Sequence, residues 1–316
     1  MRSVKHGEGG RLSMGNGAAF STRPQQVELA ALVERFTGLD GIHPTAVSSL
    51  FLTRFSKPNE RLAGILRPAL CIAAQGSKQI MLAEDIFPYD PDHHMVVTVD
   101  LPLVGRILEA SPKTPYLGIQ LDLDPGQIGP LIAETHLPTP EDQGKGRGIY
   151  ITRSSYSLLD AMIRLVRLLE SPQDIPTLAP LIQREILYRL LLSEQSRHLH
   201  RIAMANSQTQ QIAKAIQWVK QNYNQPLRID EISRAVNMSV SGLHHWFKTV
   251  TAMSPLQYQK QLRLQEARRL MMTHVVGAAT AGFQVGYESP SQFSREYRRL
   301  FGAPPARDMA RLRNAS

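Results

Sequence analysis

Residues 230–250 read DEISRAVNMSVSGLHHWFKTV, and residues 278–301 read AATAGFQVGYESPSQFSREYRRLF. Each stretch holds a short helical run, an abrupt turn and a second helix opened by a serine. In the first, the turn is Asn237-Met238 and Ser239 is the N-cap. In the second, the turn covers residues 285–288, Ser289 is the cap and Pro290 takes the first helical position, where a missing N–H costs nothing. Two short helices joined so tightly form a helix-turn-helix, whose second helix can enter the major groove. In the first unit Leu243, Phe247 and Val250 share an apolar face, with Ser241, His244, His245 and Lys248 on another. In the second, Phe293, Tyr297 and Leu300 turn inward while Ser291, Gln292, Arg295 and Arg299 turn outward. Base reading needs a face of donors opposite an anchoring face, and Gln and Arg make bidentate contacts with adenine and guanine edges. Residues 255–272, carrying Lys260, Arg263, Arg268 and Arg269, predict a long helix between the units, a rigid spacer rising about 1.5 Å per residue.

The charge follows the same division. The chain has 316 residues and a formal charge of +9. Residues 206–316 hold 15 Lys+Arg against 6 Asp+Glu, so the excess lies there and residues 1–205 are neutral. A neutral front and a basic back imply two jobs, the second involving an anionic polymer. With 42% hydrophobic residues the chain can build real cores, and its length favours about two domains over disorder or a fibrous repeat. One cysteine, Cys71, excludes an intrachain disulfide or a zinc cluster and points to a reducing compartment. No run approaches the roughly 18 apolar residues of a membrane span, and the opening MRSVKHGEGGRLSMGNG lacks a signal peptide's apolar core. A cytoplasmic protein with no membrane partner is expected.

Residues 1–24, rich in Gly and Ser, are expected to be a mobile tail. Leu29, Leu32, Val33 and Phe36 predict a helix over 25–36. The period then changes. Short apolar or alternating runs at 47–55, 69–74, 79–82, 94–99, 103–108 and 116–121, punctuated by turn residues, describe a small antiparallel barrel or sandwich. Helices resume at 124–134, 155–169 and 178–192. The glycine-rich loop at 144–148 follows no strand and precedes no Lys-Ser/Thr, so it reads as a connection and not a phosphate loop. Leu158, Met162, Leu165 and Leu169 form a ridge, with Leu159 and Val166 beside it, that either packs on the barrel or meets its twin in a dimer.

Enzyme chemistry finds no purchase. His93 and His94 are adjacent on a strand and point to opposite faces, so no metal site is expected. No Gly-x-Ser-x-Gly elbow occurs, and no catalytic residue or cofactor is assigned. Cys71, in an apolar strand, reads as a small buried hydrophobe; a sensor thiol is the alternative, requiring an exposed thiolate with a basic neighbour. The rivals to a specific regulator are a barrel enzyme with an accessory nucleic-acid-binding domain and a nonspecific nucleoid-type binder.

Through residues 239–248, 254–270 and 285–305 the chain resembles the DNA-binding domain of the AraC/XylS family of bacterial transcription regulators. The front resembles one subgroup's N-terminal domain through HPTAVSSLFLTRFS, LCIAAQGSKQIML, YDPDHHMVVTVDLPLVG and PYLGIQLDLDP. The resemblance implies an α+β chain: a cupin-like antiparallel β-barrel that binds a small-molecule effector (25–150), a helical dimerisation segment (151–205) and an all-α double helix-turn-helix domain (206–316). Carried onto this sequence, base reading falls on Ser241, His244, His245, Ser291, Gln292 and Arg295. Phosphate contacts fall on Ser239, Lys248, Arg263, Arg298 and Arg299. The implied partners are double-stranded promoter DNA, a second copy of the chain and RNA polymerase, on the nucleoid in the cytoplasm. Activation is the commoner mode, and the effector is unnamed. His245 stands where much of the family has Arg, and Ser233 and Gly282 where a small Ala is common. With Gly277 nearby, and glycine costing about 0.5–1 kcal/mol relative to Ala in a helix, the second unit's first helix is expected to be soft until DNA orders it.

Overall fold

The computed structural model describes residues 22–58, 62–137, 146–204, 207–274 and 276–313. The expected mobile tail lies outside these residues as far as residue 21. After helix α1 (Arg23–Phe36) come ten strands: β1 (Gly41–Pro44), β2 (Leu50–Phe55), β3 (Leu62–Leu66), β4 (Ala69–Gln75), β5 (Ser77–Leu82), β6 (Asp85–Tyr89), β7 (His93–Val97), β8 (Leu101–Glu109), β9 (Tyr116–Asp122) and β10 (Ile149–Arg153). They form two antiparallel sheets, one ordered β1-β2-β9-β4-β7-β10 and the other β3-β8-β5-β6.

Strand alternation sorts the side chains of the larger sheet into two cores. Leu50, Leu52, Leu70, Ile72, Val96, Ile119 and Leu121 pack outward with α1, α3 (Tyr156–Arg167) and α4 (Ile175–Leu191). Cys71, Ala73, Met95, Val97 and Tyr116 belong instead to a cluster with Ile80, Leu82, Leu103 and Ile107 of the smaller sheet, the barrel interior. Helices α2 (Ile128–Thr135) and α5 (Arg197–Ala203) complete the outer layer.

Ser155 caps α3, its hydroxyl accepting from the Leu158 amide at 3.3 Å. The ridge on α3 is used within the chain: Leu158, Leu159, Met162, Leu165 and Val166 are buried in the outer core, and Leu169 packs against it. Helix α4 leaves apolar side chains open, Leu178 being 40% and Leu181 61% exposed.

The basic third is all helix: α6 (Gln208–Gln221), α7 (Ile229–Ala235), α8 (Val240–Thr251), α9 (Pro255–Thr273), α10 (Ala278–Gln284), α11 (Pro290–Phe301) and α12 (Pro305–Arg313). The chain is thus α+β, with antiparallel sheets followed by two helix-turn-helix units. The last helix, α12, has no counterpart in the sequence reading. Its Asp308, fully buried, takes two hydrogen bonds from Arg268 (2.9 and 3.2 Å) and one from the Tyr297 hydroxyl (2.8 Å), which ties α12 to α9 and α11.

Candidate nucleic-acid interface

The two units share one local construction. In the first turn the Met238 amide donates to the Ser233 carbonyl at 2.9 Å, and in the second the Tyr287 amide donates to the Gly282 carbonyl at 2.9 Å. The residue before each donor, Asn237 (φ 55°) or Gly286 (φ +93°), adopts the left-handed conformation that closes such a helix end. At Gly286 no other residue fits, since a Cβ there would strike the Asn224 carbonyl and the Arg263 guanidinium. Gly282 has a packing reason as well: a Cβ would stand 3.1 Å from the Phe293 ring, so glycine lets α10 lie close on α11.

Serine caps start both second helices. Ser239 Oγ accepts from the Gly242 amide at 3.1 Å and Ser289 Oγ from the Gln292 amide at 3.3 Å. On α8 Leu243, Phe247 and Val250 are buried, and Ser241, His244, His245 and Lys248 are exposed. On α11 Phe293, Tyr297 and Phe301 are buried, with Leu300 half-buried, while Ser291, Gln292, Arg295, Arg298 and Arg299 lie on the outer side. A sharply amphipathic helix standing on aromatic rings presents its outer side chains at fixed heights, as groove reading requires. Gln292 already has a partner, its amide donating to Glu296 Oε1 at 3.2 Å. Burial alone would raise the pKa of Glu296, but hydrogen bonds from Lys260, Tyr287 and Gln292 prevail and hold it below the usual glutamate range.

Arg263, an expected phosphate contact, also has partners within the chain. The Arg263 guanidinium donates to three carbonyls: Nε to Tyr223 at 2.7 Å, Nη1 to Gly286 at 2.7 Å and Nη2 to Gln225 at 2.9 Å. Three of its five N–H groups staple the long helix α9 to the turn after α6 and to the turn of the second unit. The reason is geometric: a planar fork with five N–H groups serves several fixed carbonyls at once. Burial also lowers its pKa. Lys248 and Arg299 border a cleft of about 730 Å³, facing Ala83, Glu84 and Asp85 from the turn between β5 and β6.

The barrel grips the first unit through residues that sequence reasoning did not single out. Arg147 donates through Nε to Asp85 (2.7 Å) and through Nη1 to the carbonyls of Lys248 (3.0 Å) and Thr249 (2.9 Å), near the C-terminus of α8. A cation there complements the helix dipole. Beside it the Gly148 amide donates to the Val250 carbonyl at 2.8 Å. On the other side buried Asp100 accepts from Gln217 (2.9 Å) and from Lys220, and its backbone carbonyl accepts from the Tyr258 hydroxyl at 2.8 Å. The loop at 144–148, read as a plain connection, therefore carries an interdomain contact in its described residues. A lone Arg between glycines has no periodicity to mark it.

No group of three metal-ligating side chains occurs among the described residues. His94 is buried, its pKa lowered to about 4 by burial with a smaller push from His93, and His93 instead faces Asp90 at 2.7 Å. Cys71 is buried and burial pushes its thiol up to about 12. As placed, Cys71 is a buried thiol of the barrel interior and not an exposed thiolate. No helix among the described residues is long and apolar enough to cross a membrane.

Two family models match the chain, an AraC-type transcriptional regulator N-terminus over residues 46–198 and a helix-turn-helix domain over 232–311. Among characterised proteins, the transcriptional regulator ArgR of Pseudomonas aeruginosa is 32% identical over 105 residues, 33% of this chain and 32% of that protein. The transcriptional activator RhaS of Escherichia coli is 25% identical over 153 residues, 48% of this chain and 55% of its own. The chain therefore spans about a third to a half of these relatives' length. Among solved structures, ToxT of Vibrio cholerae O395 bound to (E)-4-(8-methylnaphthalen-1-yl)but-3-enoic acid shares the fold at a TM-score of 0.57 and 11% identity, covering 82% of this chain and 96% of that one. A second crystal structure of ToxT from Vibrio cholerae O395 matches at a TM-score of 0.53 and 10% identity, covering 82% of this chain and 96% of that one.

Proposed function

The chain belongs to the AraC/XylS family of bacterial transcription regulators, and from that premise we propose that it binds specific promoter DNA through α8 and α11 under the control of a small molecule held in its barrel. The observation that carries this reading is the pair of serine-capped helices on one rod, α9, each anchored on aromatic residues and each exposing donors: Ser241, His244 and His245 on α8, Ser291, Gln292 and Arg295 on α11. Ser239, Lys248, Arg298 and Arg299 supply phosphate contacts around them.

Residues 25–150 form the sensing domain, 151–205 the dimerisation segment and 206–316 the DNA-binding domain. The dimer forms through α4, where Leu178 and Leu181 lie open. The protein acts in the cytoplasm, on the nucleoid, as an activator that meets RNA polymerase at the promoter. Coupling runs through the Arg147 and Asp100 contacts: an effector that favours one arrangement of the barrel shifts the population in which α8 is presented for reading. A small organic effector accords with the ligand-bound crystal of ToxT.

The test is a titration of the purified protein against duplex from its own upstream region and against a shuffled duplex, at about 0.15 M salt. A preference of about a thousandfold or more is expected. Equal binding to both that vanishes steeply with salt would make the chain a nonspecific binder.

A further inference from the structure

Two helices of the basic third open on the same pattern, Ser-x-x-Gln, and use its glutamine differently. At the start of α9 Ser254 Oγ accepts from the Gln257 amide at 3.2 Å, and Gln257 Oε1 accepts in return from the Ser254 amide at 2.9 Å, a closed capping box. At the start of α11 Ser289 Oγ accepts from the Gln292 amide at 3.3 Å, but the Gln292 side chain reaches forward one turn and donates through Nε2 to Glu296 Oε1 at 3.2 Å. Glu296 is itself held from two other elements. Lys260 of α9 donates to Oε1 at 2.8 Å, and the Tyr287 hydroxyl, in the turn of the second unit, donates to Oε2 at 2.7 Å. The Tyr287 ring is buried and stands edge-on to Phe293, with ring centres 5.3 Å apart.

The carboxylate decides which end of the amide faces it. Against the upward pull of burial, these donors hold Glu296 below the usual glutamate range, so it is ionised at neutral pH. An ionised carboxylate only accepts, so the Gln292 nitrogen faces Glu296 and Oε1 is turned away from it, on the exposed face shared with Ser291 and Arg295. A glutamine free to rotate can offer either end to a base. In the major groove guanine presents acceptors at O6 and N7 and thymine one at O4, whereas adenine N6 and cytosine N4 are donors. We propose that Glu296 is a positioning residue of the second reading helix: it turns Gln292 from its own helix cap to the DNA, holds the amide oxygen outward, and so restricts the base read there to adenine or cytosine. Adenine is the better fit, because its N7 can take the second Nε2 hydrogen. The inference rests on the reading of α11 as a groove-reading helix.

The test is selection of bound sites from a pool of random-sequence duplexes by the intact chain, with enrichment counted base by base. Wild type is expected to favour adenine or cytosine by about tenfold at one position, and Gln292→Ala to erase that preference. Glu296→Ala should relax it to about twofold, and should change nothing further there in the Gln292→Ala background. Glu296→Gln, closer in shape, should relax it as well, because a neutral amide can meet Gln292 with either end. The preference set by Arg295 should survive in both variants, which separates lost positioning from an unfolded second unit; its loss in both would make Glu296 a structural residue and overturn the proposal. Guanine or thymine at the Gln292 position also overturns it, as do Glu296 variants that keep the wild-type preference or a Gln292→Ala variant that moves no position. Each of these leaves the specific-DNA reading standing. A wild-type chain that enriches no sequence overturns both.

Discussion

The two helix-turn-helix units have the same turn geometry and caps but different surroundings. The first shares one continuous hydrophobic cluster with the barrel: Ile212, Ile216, Leu243, Phe247, Val250 and Tyr258 join Val99, Leu101 and Ile149. The second has its own, built from Leu264, Met271, Phe293, Tyr297, Phe301 and Met309, against which the barrel places only the half-buried Ala63 among the described residues. The first unit is thus packed on the barrel, while the second is joined to it through α9 and the Arg263 staple. Identical local folding can be held in different ways, because packing determines which unit meets the barrel directly and which at one remove.

The staple is where that comparison breaks most readily. Arg263→Ala is expected to cost about 2–3 kcal/mol, since three carbonyls lose a charged donor, and to abolish binding to duplexes that need both units. Chemical denaturation and a DNA titration check it. A variant of unchanged stability whose salt slope falls by about one would make Arg263 a phosphate contact and not a staple.

The readers should differ between units. Arg295→Ala is expected to cost about 1–3 kcal/mol and relax preference at one base pair. His245→Ala should cost less, because an imidazole offers one bond where a guanidinium offers two. Arg299→Ala should weaken all sequences alike. Uniform loss in all three, measured on a panel of single-base variants, would show that the readers are misassigned.

Asp100→Ala should cost about 1.5 kcal/mol by removing the acceptor of Gln217 and Lys220. It should also loosen the first unit from the barrel, so hydrogen exchange should rise in α6 and not in α11. An equal rise in both helices would mean the units are not differently held.

The smallest effect is acid-dependent. Glu296 is held below the usual range by Lys260, Tyr287 and Gln292 despite the opposing effect of burial. Its contribution is therefore present above the unfolded glutamate pKa of about 4.3 and fades as pH falls through the folded value. With solvent screening it is worth about 0.5 kcal/mol. Glu296→Gln should flatten the acid limb of the second unit's melting curve and leave the first unit's unchanged.

The strands that sequence reading found and missed divide along one line. The six runs that it marked became β2, β4, β5, β7, β8 and β9, the inner strands of both sheets. Those it missed, β1, β3, β6 and β10, are the four edges. Inner strands have a neighbour on each side and carry long apolar runs, as in β4, where six of seven residues are buried. Edge strands are short and partly wet, and β1 and β6 even contain Pro44 and Pro88, which lack the ladder N–H. The capped helices α8 and α11 were legible because their signals are local, whereas α12 depends on Asp308 reaching Arg268 and Tyr297 across the fold.

By itself the sequence determined the α+β division, the inner strands, both helix-turn-helix units and the outward placement of Ser241, His244, His245, Ser291, Gln292 and Arg295, since caps, turns and periodicity act over a few residues. Tertiary structure decided what particular charges are for. Arg263 became a staple, and Asp100 and Arg147 became the join between the barrel and the first unit. A charged side chain looks alike in sequence whatever it faces; its partner can come from a segment 120 residues away, as in Asp100 and Lys220, and only folding brings the two together.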